Sequence, residues 1–317
     1  MILTITANAA LDRVLFIDEF QPGMVAYTQK VVDCVGGKGF DSSVVLKALG
    51  VPQLAMGFMA GDTGRYLAGI LKERYAIPLD LVWVEGDTRI AHVVVEMKHH
   101  RHSHITTQGY SVPFADQQAF IRKFSAQVGS FRWVIAAGSL ASGLQPDFYA
   151  QLIRIAAQAG VCTLIDCPGE PALKAAEARP AILKMNRAEF GRTFGASLEG
   201  MNILQLEVQK VLKHFELPAM VITCGAEGIL AVLPGEVWLA SSPRQEEVNS
   251  AGAGDGVSAA LAWRLGLGDG WGEALRWAAA TSAAVVMTEG TADCYIEDIQ
   301  RIYSQVRVEK LSSGLLA

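Results

Sequence analysis

Short β-rich runs alternate with helix-patterned segments along most of this chain, and that alternation leaves few architectures open. ILTITA (2–7), QLAMGFM (53–59), WVIAAG (133–138), VCTLID (161–166), AILKM (181–185) and AMVITC (219–224) read as strands. Residues 41–49, 64–75, 116–128, 147–159, 171–178 and 203–215 read as helices between them. A helix between successive strands is the crossover that parallel pairing requires, so the sequence predicts an α/β fold with a mostly parallel sheet covered on both faces. Runs such as VCTLI are apolar almost throughout, as strands buried on two sides demand. Residues 255–289, rich in alanine, predict two packed helices joined by a glycine loop.

Two segments break the rhythm. Residues 13–35 and 89–108 carry strand patterns with turns and no helix, and the second folds back at a polar turn near Lys98, His99 and His100. Together they predict a small second sheet over the carboxyl ends of the main strands, where open α/β sheets bind ligands, and hence a lid. The expected division is an α/β domain of 1–12, 36–88 and 109–317 with a β lid of 13–35 and 89–108 inserted in it. A lid of this kind exposes strand edges and an apolar face that a second copy can cover, so a homodimer through the lid is expected.

Composition narrows the function classes. A net charge of −5 among 317 residues, with no run of four Lys/Arg, argues against a nucleic-acid partner. The most apolar stretch, 257–288, is broken by Arg264, Asp269, Glu273 and Arg276, so no membrane span is expected. The first residues, MILTITANAALD, lack a basic n-region and read as a buried strand rather than a signal peptide. Five cysteines without a C-x-x-C pair read as free thiols of a cytoplasmic protein.

Two glycine-rich segments could carry chemistry. In VGGKGFDSSVVLKALG (35–50), glycines surround Lys38 just before an amphipathic helix, a place where backbone amides can approach an anion. Lys38 is followed by glycine, not Ser or Thr, so this is no Walker A loop, and a plain tight turn with a surface lysine is the alternative. In NSAGAGDGVSAALAW (249–263), Gly252, Ala253 and Gly254 open a long helix with Asp255 in its first turn. Amides that hold an anion beside a carboxylate that can orient a hydroxyl and take its proton suit phosphoryl transfer. A glycine turn with a helix-start aspartate is the plainer reading. The dinucleotide fingerprint fails at Val257, which argues against a dehydrogenase.

Together these segments resemble the signatures of the phosphofructokinase-B family of ribokinase-like carbohydrate kinases. NAALD (8–12), GDTR (86–89), AGSLASG (137–143), KMNRAEF (184–190), ITCGAEG (222–228) and SAGAGD (250–255) follow in that family's order, from residue 8 to about 290. The likeness is greatest to tagatose-6-phosphate kinases and 1-phosphofructokinases. The resemblance implies a three-layer α/β/α fold and transfer of phosphate from ATP, with magnesium, to a hydroxyl of a sugar or sugar phosphate. It implies Asp255 as base and the amides of Gly252, Ala253 and Gly254 as an anion hole. Thr223, Gly225 and Gly228 would line the ATP site, with Lys184 and Asn186 close by and Glu189 organising magnesium through water. Asp12, Gly36, Gly37, Asp41, Arg89 and Ser139 would face the sugar, and Lys38 a substrate phosphate. The lid would clasp a second subunit.

Departures from the pattern bear on the acceptor. Asp41 stands where the family has asparagine, an amide that both donates and accepts, whereas a carboxylate only accepts. Such a charge would repel a sugar phosphate by about 1 kcal/mol or more; either Arg89 and Lys38 offset it, leaving a phosphorylated substrate with weaker binding, or the acceptor is unphosphorylated or amine-bearing. Loss of turnover, leaving a binding protein, is a further alternative that the retained Asp255 and Glu189 oppose. Ala9, Ala141 and Met185 replace prolines without removing chemistry, and Cys224 reads as a small buried thiol. The cluster HHRHSH (99–104) admits three readings: a metal trio of His100, His102 and His104, a phosphate contact, or a solvated hairpin.

Overall fold

The computed structural model describes residues 1–99 and 101–312. Strand β1 (Ile2–Thr6) lies inside a ten-stranded sheet, flanked by β4 (Gln53–Ala60) and then β5 (Leu79–Val84) on one side. On the other side follow β8 (Trp133–Ala137), β9 (Cys162–Asp166), β10 (Ile182–Asn186) and β11 (Met220–Thr223), all parallel. An antiparallel edge of β12 (Ile229–Leu233), β13 (Glu236–Ser241) and β14 (Arg307–Leu311) completes it. The sequence reading missed this edge, although Pro234–Gly235 between β12 and β13 is a two-residue hairpin signal.

Both faces are covered, as the apolar strands require. On one face α3 (Phe114–Gln127), α4 (Phe148–Gln158), α5 (Glu170–Glu177), α6 (Arg187–Phe194) and α7 (Gly200–Phe215) pack on Leu3, Ile5, Val134 and Ala136. On the other, α1 (Lys38–Ala48), α2 (Gly61–Gly69), α8 (Ala253–Leu267), α9 (Trp271–Val285) and α10 (Ile296–Tyr303) pack on Ile2, Ala55, Ile135 and Ala137. The alanine-rich stretch forms α8 and α9, and its small side chains let these helices lie close to each other and to the sheet: Ala259, Ala260, Ala278 and Ala280 are fully buried.

The two helix-free segments pair into a four-stranded sheet in the order β3 (Lys30–Gly36), β2 (Ala10–Ile17), β6 (Arg89–Glu96), β7 (Arg101–Thr106). These strands start at Ala10 and end at Gly36, so the boundaries expected after residue 12 and before residue 36 fall inside them, and Asp12 belongs to the small sheet. Strand alternation puts Asp12, Val14 and Phe16 on the same side as Arg89, Val93 and Val95. Val14, Phe16, Cys34, Val93 and Val95 form that side's apolar cluster, and the polar pair sits at its base.

Candidate active site

Chain connections leave β1 in both directions, first to β4 and later to β8, which makes a topological switch point with a crevice at the carboxyl ends. Asp166, Asn186 and Thr223 end β9, β10 and β11, and Ser139 follows β8 by two residues. Asn8, just beyond β1, donates from Nδ2 to Ser139 Oγ at 3.2 Å and so ties two strand ends together.

Two helices begin at this crevice without side-chain caps, α1 after Gly37 and α8 after Gly252. Gly252 has φ +84°, and a Cβ there would lie 2.5 Å from the Ala292 nitrogen, so the turn into α8 requires glycine. The Ala253 amide donates to the Ser250 carbonyl at 3.3 Å, while the Gly252 and Gly254 amides have no backbone partner among the described residues. An open helix start of this kind favours an anion. Asp255 sits in the first turn, 6% exposed, and its Oδ1 is enclosed without a hydrogen bond. Burial, reinforced by Asp166, pushes its pKa up to about 7 against the pull of Lys184 and Lys38.

A charged network fills the space between strand ends. Lys184 is buried in β10 and pairs with Asp166, its register partner on β9. Lys38 donates to the other Asp166 oxygen at 2.7 Å and to Glu189 at 3.1 Å. Burial works against the Asp166 charge, yet the two lysines outweigh it and hold Asp166 at about 2. Asp166, Glu189 and Asp255 keep the Lys38 ammonium protonated above its ordinary value despite its desolvation. Glu189 also caps α6: its amide donates to Asn186 Oδ1 at 2.8 Å, and its Oε2 accepts from the Asn186 amide at 2.9 Å. Lys38, expected at a substrate phosphate, is thus held on the Asp166–Glu189 side.

The expected sugar-facing residues converge from the small sheet and α1. Asp12 accepts from Thr291 Oγ1 at 3.0 Å, and burial raises its carboxyl to about 7 against Thr291 and Arg89. Arg89 donates to Thr106 at 3.1 Å and to the Asn8 carbonyl at 3.4 Å. Gly36 ends β3 and Gly37 starts α1, while Asp41 lies one turn in, 4% exposed. Neither Arg89 nor Lys38 forms an ion pair with Asp41. Thr223, Gly225 and Gly228 lie together where β11 turns into β12, and Cys224 is buried beside them.

Sequence reasoning missed Asp166, Asn8 and Thr291. Asp166 left a signal, an acid closing an apolar strand at its carboxyl end; Thr291 sits in a loop with none. Of the histidine cluster, His100 lies outside the described residues. His102 lies 3.8 Å from Glu247, and among the described residues no group of three or more His, Cys, Asp or Glu is gathered to hold a metal. An open cavity of 420 Å³ separates Phe16, Val95 and His102 of the small sheet from Glu247, Val248 and Glu289 of the large domain, and the Lys30–Glu289 ion pair joins its two sides. Among the described residues no helix is long and apolar enough to cross a membrane.

Comparison with known proteins identifies the family. The chain is 30% identical over 314 residues to the 1-phosphofructokinase of Bacillus subtilis (strain 168), covering 98% of this chain and all of that one. It is 29% identical to the D-tagatose-1-phosphate kinase of Bacillus licheniformis over 98% of this chain and all of the relative. The crystal structure of a possible 1-phosphofructokinase from Thermotoga maritima superposes with a TM-score of 0.89 at 25% identity, over 98% of this chain and all of that one. Residues 4–298 match the pfkB family carbohydrate kinase, and the chain belongs to that family.

Proposed function

We propose that this carbohydrate kinase moves the terminal phosphoryl group of ATP to a hydroxyl of a ketose phosphate, the substrate type named for its 1-phosphofructokinase and tagatose-1-phosphate kinase relatives. The observation that carries the mechanism is the enclosed, unpartnered carboxyl oxygen of Asp255 at an open helix start. With a pKa near 7, Asp255 can take the acceptor's proton at neutral pH as the hydroxyl attacks in line. The amides at Gly252, Ala253 and Gly254 receive the charge that builds on the transferred group. Lys184, locked by Asp166, presents its ammonium 3.2 Å from the place a Gly254 side chain would occupy, next to that group.

Thr223, Gly225 and Gly228 supply a loop for the nucleotide, with Asn186 at the adjacent strand end. Magnesium, when bound, neutralises phosphate charge. Both Glu189 oxygens are already engaged, by Lys38 and by the Asn186 amide, which fits a magnesium held through water rather than directly. Asp12, Arg89 and Ser139 surround the acceptor, and the small sheet closes over it. A second copy covers the lid, a reading supported by exposed Met24, Val25 and Tyr27, between 69% and 84% accessible.

A coupled ADP-release assay across fructose 1-phosphate, tagatose 1-phosphate, tagatose 6-phosphate, fructose 6-phosphate and the free and amino sugars tests the reading. A ketose phosphate should give the highest kcat/KM. Tight sugar-phosphate binding without turnover would overturn it.

A further inference from the structure

We propose that Asp41 recognises the acceptor as a neutral carboxylic acid, donating a hydrogen bond to a sugar oxygen, and so selects hydroxyl-bearing over amine-bearing acceptors. This rests on the sugar-kinase reading above and concerns the residue that the family pattern does not supply.

The grounds are the charges around the site. Five acids, Asp12, Asp41, Asp166, Glu189 and Asp255, surround it with three cations, Lys38, Lys184 and Arg89. The lysines are spoken for by Asp166 and Glu189, and Arg89 donates to Thr106 and the Asn8 carbonyl. Asp12 has a hydroxyl partner in Thr291. Asp41 and Asp255 are left, each with an enclosed Oδ1 that meets no donor. Asp255 has both Lys184 and Lys38 nearby to favour its charge. Asp41 faces Asp255 from α8, Asp12 from β2 and Asp293 from the loop after α9, with Lys38 opposing them.

The start of α1 does favour negative charge at Asp41, by about 0.3–1 kcal/mol and up to about 2 when partly buried. Enclosing an unpaired carboxylate costs several kcal/mol, so the proton stays. Burial first, then Asp255 and Asp12, accordingly hold the Asp41 carboxyl well above its ordinary range. A protonated carboxyl has one O–H donor and a carbonyl acceptor, so like an amide it can both donate and accept, with one donor fewer. The enclosed site thus restores at Asp41 the donor that the loss of asparagine would remove, and the repulsion expected from an exposed charge does not arise.

Infrared difference spectroscopy of the unliganded protein at about pH 7 tests the protonation directly. Asp12 and Asp255 also contribute protonated-carboxyl absorption near pH 7, so one component of the wild-type carbonyl band should be lost in Asp41→Asn and retained in Asp255→Asn. Kinetics with fructose 1-phosphate test the role. The ratio of kcat/KM for Asp41→Asn over wild type should rise with pH, through KM, over the range in which the wild-type carboxyl loses its proton, because only the wild type carries an ionisable group at this position. Asp41→Leu, which has neither donor nor acceptor, should lose about 10-fold or more at pH 7, again through KM. A spectrum unchanged in Asp41→Asn, a ratio that is flat with pH, or a wild-type preference for an amino sugar that Asp41→Asn abolishes would each overturn the proposal. If no sugar phosphate is turned over at all, the kinase reading fails while the infrared band still decides the protonation.

Discussion

Replacing Asp255 by asparagine should cost activity and gain stability, and the gain should depend on pH in a defined way. In the unfolded chain this carboxyl ionises above an ordinary 3.8, whereas in the native site it keeps its proton to about 7. The native state then binds more protons across that window, so stability falls as pH rises from about 4 to about 7 and is level beyond. At 1.36 kcal/mol for each pH unit between the two values, the full penalty is about 4 kcal/mol. Water entering the crevice reduces it, and about half is the working expectation. Asparagine escapes the penalty. Scanning calorimetry or dye-monitored melting should therefore find variant and wild type alike near pH 4, with the variant about 4–8 °C higher at pH 8, at 2–4 °C per kcal/mol. Turnover should fall by about 10²-fold or more at every pH, since a positioned base contributes that much. A melting difference independent of pH, or a less stable variant at pH 8, would refute the electrostatic reasoning; near-normal turnover would remove Asp255 from the chemistry.

Asp166→Asn leaves Lys184 buried without a counter-charge, and urea denaturation should show a loss of about 3–5 kcal/mol. Gly228→Ala places a Cβ 2.2 Å from the Ala240 carbonyl oxygen at φ +108°. It should raise KM for ATP about 10-fold with a smaller effect on the sugar, and equal effects on both substrates would place Gly228 outside the nucleotide loop. Light scattering at micromolar concentration should find a dimer that Val25→Asp with Tyr27→Glu converts to monomer; a wild-type monomer contradicts the lid interface.

What the sequence made legible follows from how far each signal reaches along the chain. Buried parallel strands announce themselves locally, because VCTLI or WVIAA cannot be solvated on either face, and these six strands appear within a residue or two of their expected places. The glycine segments were legible for a related reason: the turn before α8 tolerates only glycine at 252, so the constraint is written at the position that bears it. Side-chain alliances between distant segments carry no such mark. Lys38 reads as a lysine in a glycine loop, free to meet a phosphate, until β9 brings Asp166 to 2.7 Å across 128 positions of chain. Asp41 shows the same limit in the electrostatic sense. From the sequence its charge alone is legible, but protonation is set by enclosure and by the like charges of Asp255 and Asp12, which only the fold assembles. The sequence could therefore show that a carboxyl replaces an amide, while the packing of α1 against α8 decides that the carboxyl behaves as one.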